Sequence, residues 1–325
     1  MARLTEPDPA CRIVRAQNTV HRSVQGAPHP VVRTPPTPHT LNVEKHMASG
    51  TLDTPAGTAP TTLAGPNGNG RAAIPARTLR TDNWRKAPIL TVVLLTAWIL
   101  YAVVRAFMQK WYWVEDYHYL TPFYSPCVSN GCEGDSSLFG RFIPDIPIFP
   151  FAVLTLPFLG LFRLTCYYYR RAYYRSYWGS PPACGVPDLH KSYQGESRMP
   201  GILQNSHRYF FYAAVLLSIV NTIDAILAFH SPGGFGIGLG TIILVINVIL
   251  LWAYTVSCHS CRHIIGGRLR HFSKHPVRYR AWGFVSKLNR KHMELAWTTL
   301  GTLVVTDFYV MAVAAGWISD LRIVG

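Results

Sequence analysis

Beyond residue 80 the chain alternates between long apolar blocks and polar stretches, and the blocks have the length of membrane spans. The first runs from about Ile89 to Phe107 (ILTVVLLTAWILYAVVRAF), the third from Tyr209 to Phe229, the fourth from about Gly236 to Val256 and the fifth from Leu295 to Ile318. Each holds roughly 20 residues, which at 1.5 Å per residue cross a hydrocarbon core about 30 Å thick. A shorter second block, about Ile146 to Phe162, carries Pro147, Pro150 and Pro157. Proline is tolerated in a span where neighbours satisfy the freed carbonyls, so an irregular helix is expected there. The pattern predicts an all-α, polytopic transmembrane helix bundle of about five spans.

Residues 1–80 have a different character. They are rich in Pro, Thr, Ala, Gly and Asn, with no periodic apolar pattern. Such a stretch cannot offset its ordering entropy by burial, so a disordered tail is expected. It has neither the apolar core of a secretory signal nor the pattern of a transit peptide. Met47 opens a second candidate start, MASGTLDTPAGTAP, which leaves two alternatives open for residues 1–46: part of the disordered tail, or a mis-called start. Residues 81–325 then form the membrane domain.

The net charge of +15 fits either nucleic-acid binding or basic loops on one side of a membrane. Its distribution decides. Between spans one and two, Glu115, Asp116, Glu133, Asp135 and Asp145 outweigh Lys110 and Arg141. Between spans two and three lie Arg163, Arg170, Arg171, Arg175, Lys191, Arg198 and Arg208. Between spans four and five lie Arg262, Arg268, Arg270, Lys274, Arg278, Arg280, Lys287, Arg290 and Lys291. The positive-inside rule puts the N-terminus in the cytoplasm and the C-terminus outside. Anionic lipids then account for the basic loops without nucleic acid, and residues 262–292 are expected to form an amphipathic helix on the inner leaflet.

Seven cysteines are too few for a secreted disulfide scaffold, but their positions carry information. Cys127 and Cys132 share the outer acidic loop, where a short-loop disulfide is expected. The sharpest feature is Ser257-Cys258-His259-Ser260-Cys261-Arg262-His263, at the inner end of span four. In a continuing helix Cys258 and Cys261 lie one turn apart, as do His259 and His263. The two pairs project in different directions, so a second helix must complete any small centre. Cys166, His207 and Cys184 are available on the same side. A lone Cys or His is ordinarily a packing residue. The convergence of several at one depth favours a metal: structural zinc, a bis-His haem, or a Rieske-type [2Fe–2S] centre with two Cys on one iron and two His on the other.

Polar residues inside the spans form a second group: Asn221, Asp224, Asn247 and Asp307. A carboxylate at that depth costs at least about 2.5–3.5 kcal/mol, so it should face the bundle interior and be paired or protonated. A proton path or a quinone contact weighs equally with polar staples between helices. Trp111-Tyr112-Trp113 and the Tyr-rich 167–177 stretch read as interfacial belts. No GxGxxG follows a strand, so the chain carries no flavin or nicotinamide fingerprint.

Several longer stretches add a resemblance. YHYLTPFYSPC (117–127), RLTCYYYRRAYYRS (163–176), ILQNSHRYFFY (202–212), SCHSCRH (257–263) and HFSKHPVRY (271–279) resemble the membrane-anchor, cytochrome b-like subunit of bacterial succinate dehydrogenase, complex II. The type resembled carries a Rieske-like cluster. The likeness covers residue 80 to the end and implies an electron-transfer anchor of the bacterial plasma membrane, not a complete enzyme. Flavoprotein and iron–sulfur subunits would dock on its cytoplasmic side, oxidise succinate, and pass electrons through [2Fe–2S] to membrane quinone. On this resemblance, span four gives a Cys–His contribution, with Cys166 and His207 as partners. Cys261 and His263 compete with Cys258 and His259. Tyr167, Arg171, Arg208 and Asp307 are the candidate quinone contacts. The alternatives are a b-type haem held by His207 with His259 or His263, and a transporter centred on Asn247 and Asp307. The latter is disfavoured by the absence of an inverted repeat.

Overall fold

The computed structural model describes residues 80–145, 152, 155–189, 197–199 and 201–325. The N-terminal stretch to residue 79, and most of the first half of the second predicted span, lie outside the described residues. The described residues form eight α-helices in order: α1 Lys86–Met108, α2 Leu156–Leu164, α3 Tyr167–Ser176, α4 His207–Leu227, α5 Leu239–Val256, α6 His259–Gly266, α7 Pro276–Asn289 and α8 His292–Ala314. Six short strands pair two by two: β1 Trp113–Val114 with β2 Tyr119–Leu120, β3 His230–Ser231 with β4 Gly234–Phe235, and β5 Ile237–Gly238 with β6 Arg322–Val324. Arg80 and Ala183–Pro187 belong to a smaller unit, in which the Arg80 guanidinium donates to the Cys184 carbonyl at 2.9 Å; the larger unit is Asp82–Pro182 with Asp188–Gly325.

Among the described residues, α1, α4 with the 3₁₀ turn leading into it, α5 and α8 are long and apolar enough to cross a membrane. They coincide with predicted spans one, three, four and five. Of the second predicted span the nine-residue α2 is described, with Pro157 in its first turn, where a missing N–H goes unneeded.

Helix α5 is central, packed against α4 on one side and α8 on the other. Leu217 of α4, Leu244 and Leu251 of α5, and Leu300 of α8 are buried, while Leu303 of α8 packs toward Ala102 and Ala106 of α1 and Phe123 of the loop after it. Helix α1 is different, because only Ala102, Arg105 and Ala106 are buried on it. An apolar helix exposed nearly all round is one that lipid must cover.

Two junctions at the basic end depart from the sequence expectation. Helix α5 does not continue through the SCHSCRH motif. The Ser257 hydroxyl donates to the Tyr254 carbonyl at 2.7 Å, and Cys258 turns extended (φ −63°, ψ 144°) to cap α6. Nor do residues 262–292 form one amphipathic helix. Helix α6 ends at Gly266, Gly267 is extended, and Pro276 opens α7, because glycine and proline both interrupt a helical ladder. The Arg278 guanidinium closes the break by donating to the Ile265 and Gly267 carbonyls at the end of α6.

At the acidic end, the loop after α1 folds back as a lid on the bundle. Tyr119, Phe123 and Tyr124 are fully buried, and Cys127 and Cys132 form the expected disulfide. Asp320 gathers the hydroxyls of Tyr119 (2.9 Å) and Tyr309 (2.7 Å) and the Gly240 amide (3.0 Å). Residue 240 has to be glycine, since a Cβ there would lie 2.3 Å from the Tyr119 ring. In the same lid the His118 ring stacks on His230, with centroids 3.9 Å apart. Burial, and then the neighbouring His230, lower the His118 pKa against the pull of Glu115 and Asp135. A histidine with a lowered folded pKa binds its proton more readily when unfolded, so stability falls as pH drops below about 6.5. His118→Phe should therefore flatten the pH dependence of the melting temperature between pH about 5 and 7; an undiminished slope would contradict this.

Candidate functional site

Two dipeptides at helix junctions build the site. Thr165-Cys166 joins α2 to α3, and Ser257-Cys258 joins α5 to α6. Each cysteine is extended and occupies the N-cap of the helix that follows. The thiols therefore face backbone amides at a positive helix end, which favours the thiolate. Burial acts the other way and is larger. It pushes the Cys258 thiol up to about 12, against the amides of Ser260 and Cys261. It raises Cys166 against the amides of Tyr169 and Tyr168 and the charge of Arg163. A thiolate in such a place needs more positive charge than these groups supply, as a metal provides.

Two histidines complete the arrangement, each the first residue of a long helix. His207 opens α4 and places Nε2 3.0 Å from the Cys258 sulfur, while Nδ1 meets the Thr165 hydroxyl at 2.9 Å. His292 opens α8 and places Nε2 3.3 Å from the Cys166 sulfur, while Nδ1 meets the Ser257 hydroxyl at 2.7 Å. The couples are crossed: the hydroxyl beside each cysteine holds the histidine that reaches the other cysteine. Both hydroxyl protons are already committed, Thr165 donating to the Leu161 carbonyl and Ser257 to that of Tyr254. Each hydroxyl must then accept from an Nδ1–H, so the assigned tautomer leaves an Nε2 lone pair facing sulfur. Aromatic rings fix both imidazoles in place: Phe162 stacks on His207 and Tyr254 on His292, each with centroids 5.0 Å apart.

Among the described residues no three Cys, His, Asp or Glu side chains converge on a single ion. Two thiols and two imidazoles are nonetheless donors of the kind that hold zinc or iron–sulfur centres. Such hydroxyl-held imidazoles are what metal sites use to orient their ligands.

Of the residues proposed from sequence, Cys166, His207 and Cys258 come together. Cys261 is buried in the adjoining core. His259 and His263 are exposed on α6 and pack on each other, with centroids 5.5 Å apart. Partial burial, then His263 and Arg262, lower the His259 pKa. His292 escaped the sequence reading, although it occupies the same place on α8 as His207 does on α4. Tyr167, Arg171 and Arg208 are exposed. Asp307 is fully buried and engaged by Arg105 (2.6 and 3.1 Å), the Tyr101 hydroxyl (2.5 Å) and the Thr121 hydroxyl (2.5 Å).

Beside the Cys–His couples lies a cavity of about 660 Å³ between α1, α2 and α3. Leu95, Trp98, Leu156 and Tyr173 line it, and Arg163 and Tyr169 form the wall toward the couples. The Trp98 indole N–H finds no hydrogen-bond partner among the described residues. An almost wholly apolar cavity of this size suits the apolar part of a small organic ligand or a lipid chain.

None of the curated proteins searched matches the chain. A chain of the Mycobacterium smegmatis Sdh1 complex in the apo form is 66% identical, with a TM-score of 0.75, and the match covers 79% of this chain and 98% of that one. A family model described as actinobacterial succinate dehydrogenase subunit SdhC matches residues 86–316. The chain therefore belongs to the actinobacterial SdhC family of succinate dehydrogenase membrane subunits.

Proposed function

We propose that this chain carries electrons from docked succinate-oxidising subunits to membrane quinone, and that Cys166, His207, Cys258 and His292 hold a Rieske-type [2Fe–2S] cluster. As a family member with several apolar helices, the protein is a multi-pass component of the bacterial plasma membrane. The gathering of two thiols and two imidazoles at these helix junctions carries the proposal. Two thiols and two imidazoles are in kind and number the ligands of a Rieske-type centre. Such a centre takes up one electron at a time, at potentials of about −150 to +300 mV.

The chain's own residues do the rest. Thr165 and Ser257 fix the imidazole tautomers, while Phe162 and Tyr254 exclude water from the ring faces. The cavity beside them is the proposed quinone site. The Trp98 and Tyr173 rings on its wall replace the exposed Tyr167, Arg171 and Arg208, and the fully engaged Asp307, as expected quinone neighbours. A flavoprotein and an iron–sulfur subunit would dock at the basic end, where the couples lie, and anionic lipids would meet the rest of that surface. A bis-His haem is less well supported, because each Nε2 faces a thiol and not an open porphyrin-sized gap.

The purified complex should hold two iron and two acid-labile sulfide atoms more than its soluble subunits account for. Cys166→Ser with Cys258→Ser should remove them, and an unchanged iron content in that variant would sink the assignment.

A further inference from the structure

Arg163 is a buried cation with no buried anion beside it. It lies in the last turn of α2 at 6% exposure. Its guanidinium donates to the Tyr169 hydroxyl (2.7 Å), the Ala296 carbonyl (3.3 Å) and the Thr299 hydroxyl (3.1 Å), all neutral acceptors. It lies over the Tyr254 ring at 4.6 Å and over the Tyr169 ring at 5.7 Å. Among the described residues the ion pairs are Arg105–Asp307, Lys291–Glu294 and Arg322–Asp320, and Arg163 joins none of them.

A buried charge without a counter-charge costs several kcal/mol, so this one calls for an anion nearby. The acidic residues of the bundle do not supply it: Asp307 is taken by Arg105, and Asp224 accepts from Ser125. Arg163 instead faces the Cys–His couples. Cys166 follows it by three residues, with its amide donating to the Arg163 carbonyl at 3.1 Å. Tyr254, over which the guanidinium lies, stacks on His292.

We infer that Arg163 is the counter-charge of the four-residue centre in its reduced form and so holds its reduction potential up. The inference rests on the cluster reading above. An all-ferric [2Fe–2S] core carries two positive charges, which its two thiolates cancel, so the electron that reduces it leaves one net negative charge. Arg163 stabilises that added charge in a medium of low dielectric, where a charge acts far more strongly than in water. It touches no ligand atom and is a positioning residue in the electrostatic sense.

The test is a redox titration of the intact purified complex followed by electron paramagnetic resonance. Arg163→Gln, which keeps hydrogen-bond donors and removes the charge, should lower the reduced-to-oxidised ratio at fixed potential by about tenfold or more, or ~59 mV for a one-electron couple. Arg163→Lys should stay close to native. If Arg163→Gln loses the cluster while Arg163→Lys keeps it at near-native potential, the requirement for charge still holds. An unchanged potential in Arg163→Gln overturns the inference, as does loss of the cluster in both variants, which would make the role one of packing. A native complex without any [2Fe–2S] signal of this kind removes the cluster reading itself, and that is seen before any substitution is made.

Discussion

Replacing His207 and His292 together by alanine is expected to abolish quinone reduction while succinate oxidation by a soluble dye keeps its native rate. Both imidazoles direct Nε2 at sulfur, so the double change removes half of the proposed ligand set. It strands little else. Thr165 and Ser257 go on donating to the Leu161 and Tyr254 carbonyls, and insertion depends on the apolar residues of each span, which the change leaves alone. The exposed His259 and His263 provide the control: their double alanine variant should keep quinone reduction. If that variant loses activity and the His207–His292 pair does not, the ligand set drawn here is wrong.

The second large effect concerns stability. Arg105 and Asp307 are paired at 2.6 Å with side-chain exposures of 1% and 0%, and the Arg105 guanidinium also reaches the Lys110 carbonyl at 3.1 Å. The pair fastens α1, which buries little else, to α8 and to the lid. Removing one partner of such a pair leaves an uncompensated buried charge, at a cost of about 3–5 kcal/mol. Arg105→Leu alone should lower the thermal midpoint of the detergent-solubilised complex steeply. Arg105→Leu with Asp307→Leu should recover most of the loss, because no charge is then stranded. A single variant no worse than the double would show that the pair is not what holds α1.

Much of this architecture is written in the sequence. The four long helices fall within a few residues of the predicted spans, because about 20 apolar residues in a row admit few other structures. Family membership was legible in the unusual stretches around Cys166, His207 and Cys258. The chain breaks were less so. Periodicity cannot show that the Ser257 hydroxyl terminates α5, so reading SCHSCRH as one helix overstated the case for His259, Cys261 and His263. His292 was missed because it stands alone in Lys291-His292-Met293-Glu294, with no neighbouring cysteine. Its one signal was position, a histidine at the start of a span on the same side as His207. Asp307 looked like a site residue for want of a visible partner, since Arg105 lies 202 positions earlier in the chain.

The most direct test of the central claim is an electron paramagnetic resonance spectrum of the unmutated complex, reduced with succinate or dithionite, beside its optical spectrum. The account predicts a [2Fe–2S] signal with the low average g value of imidazole ligation, lost in the His207→Ala, His292→Ala double variant. A haem Soret band assigned to this subunit, with no such signal, would contradict it.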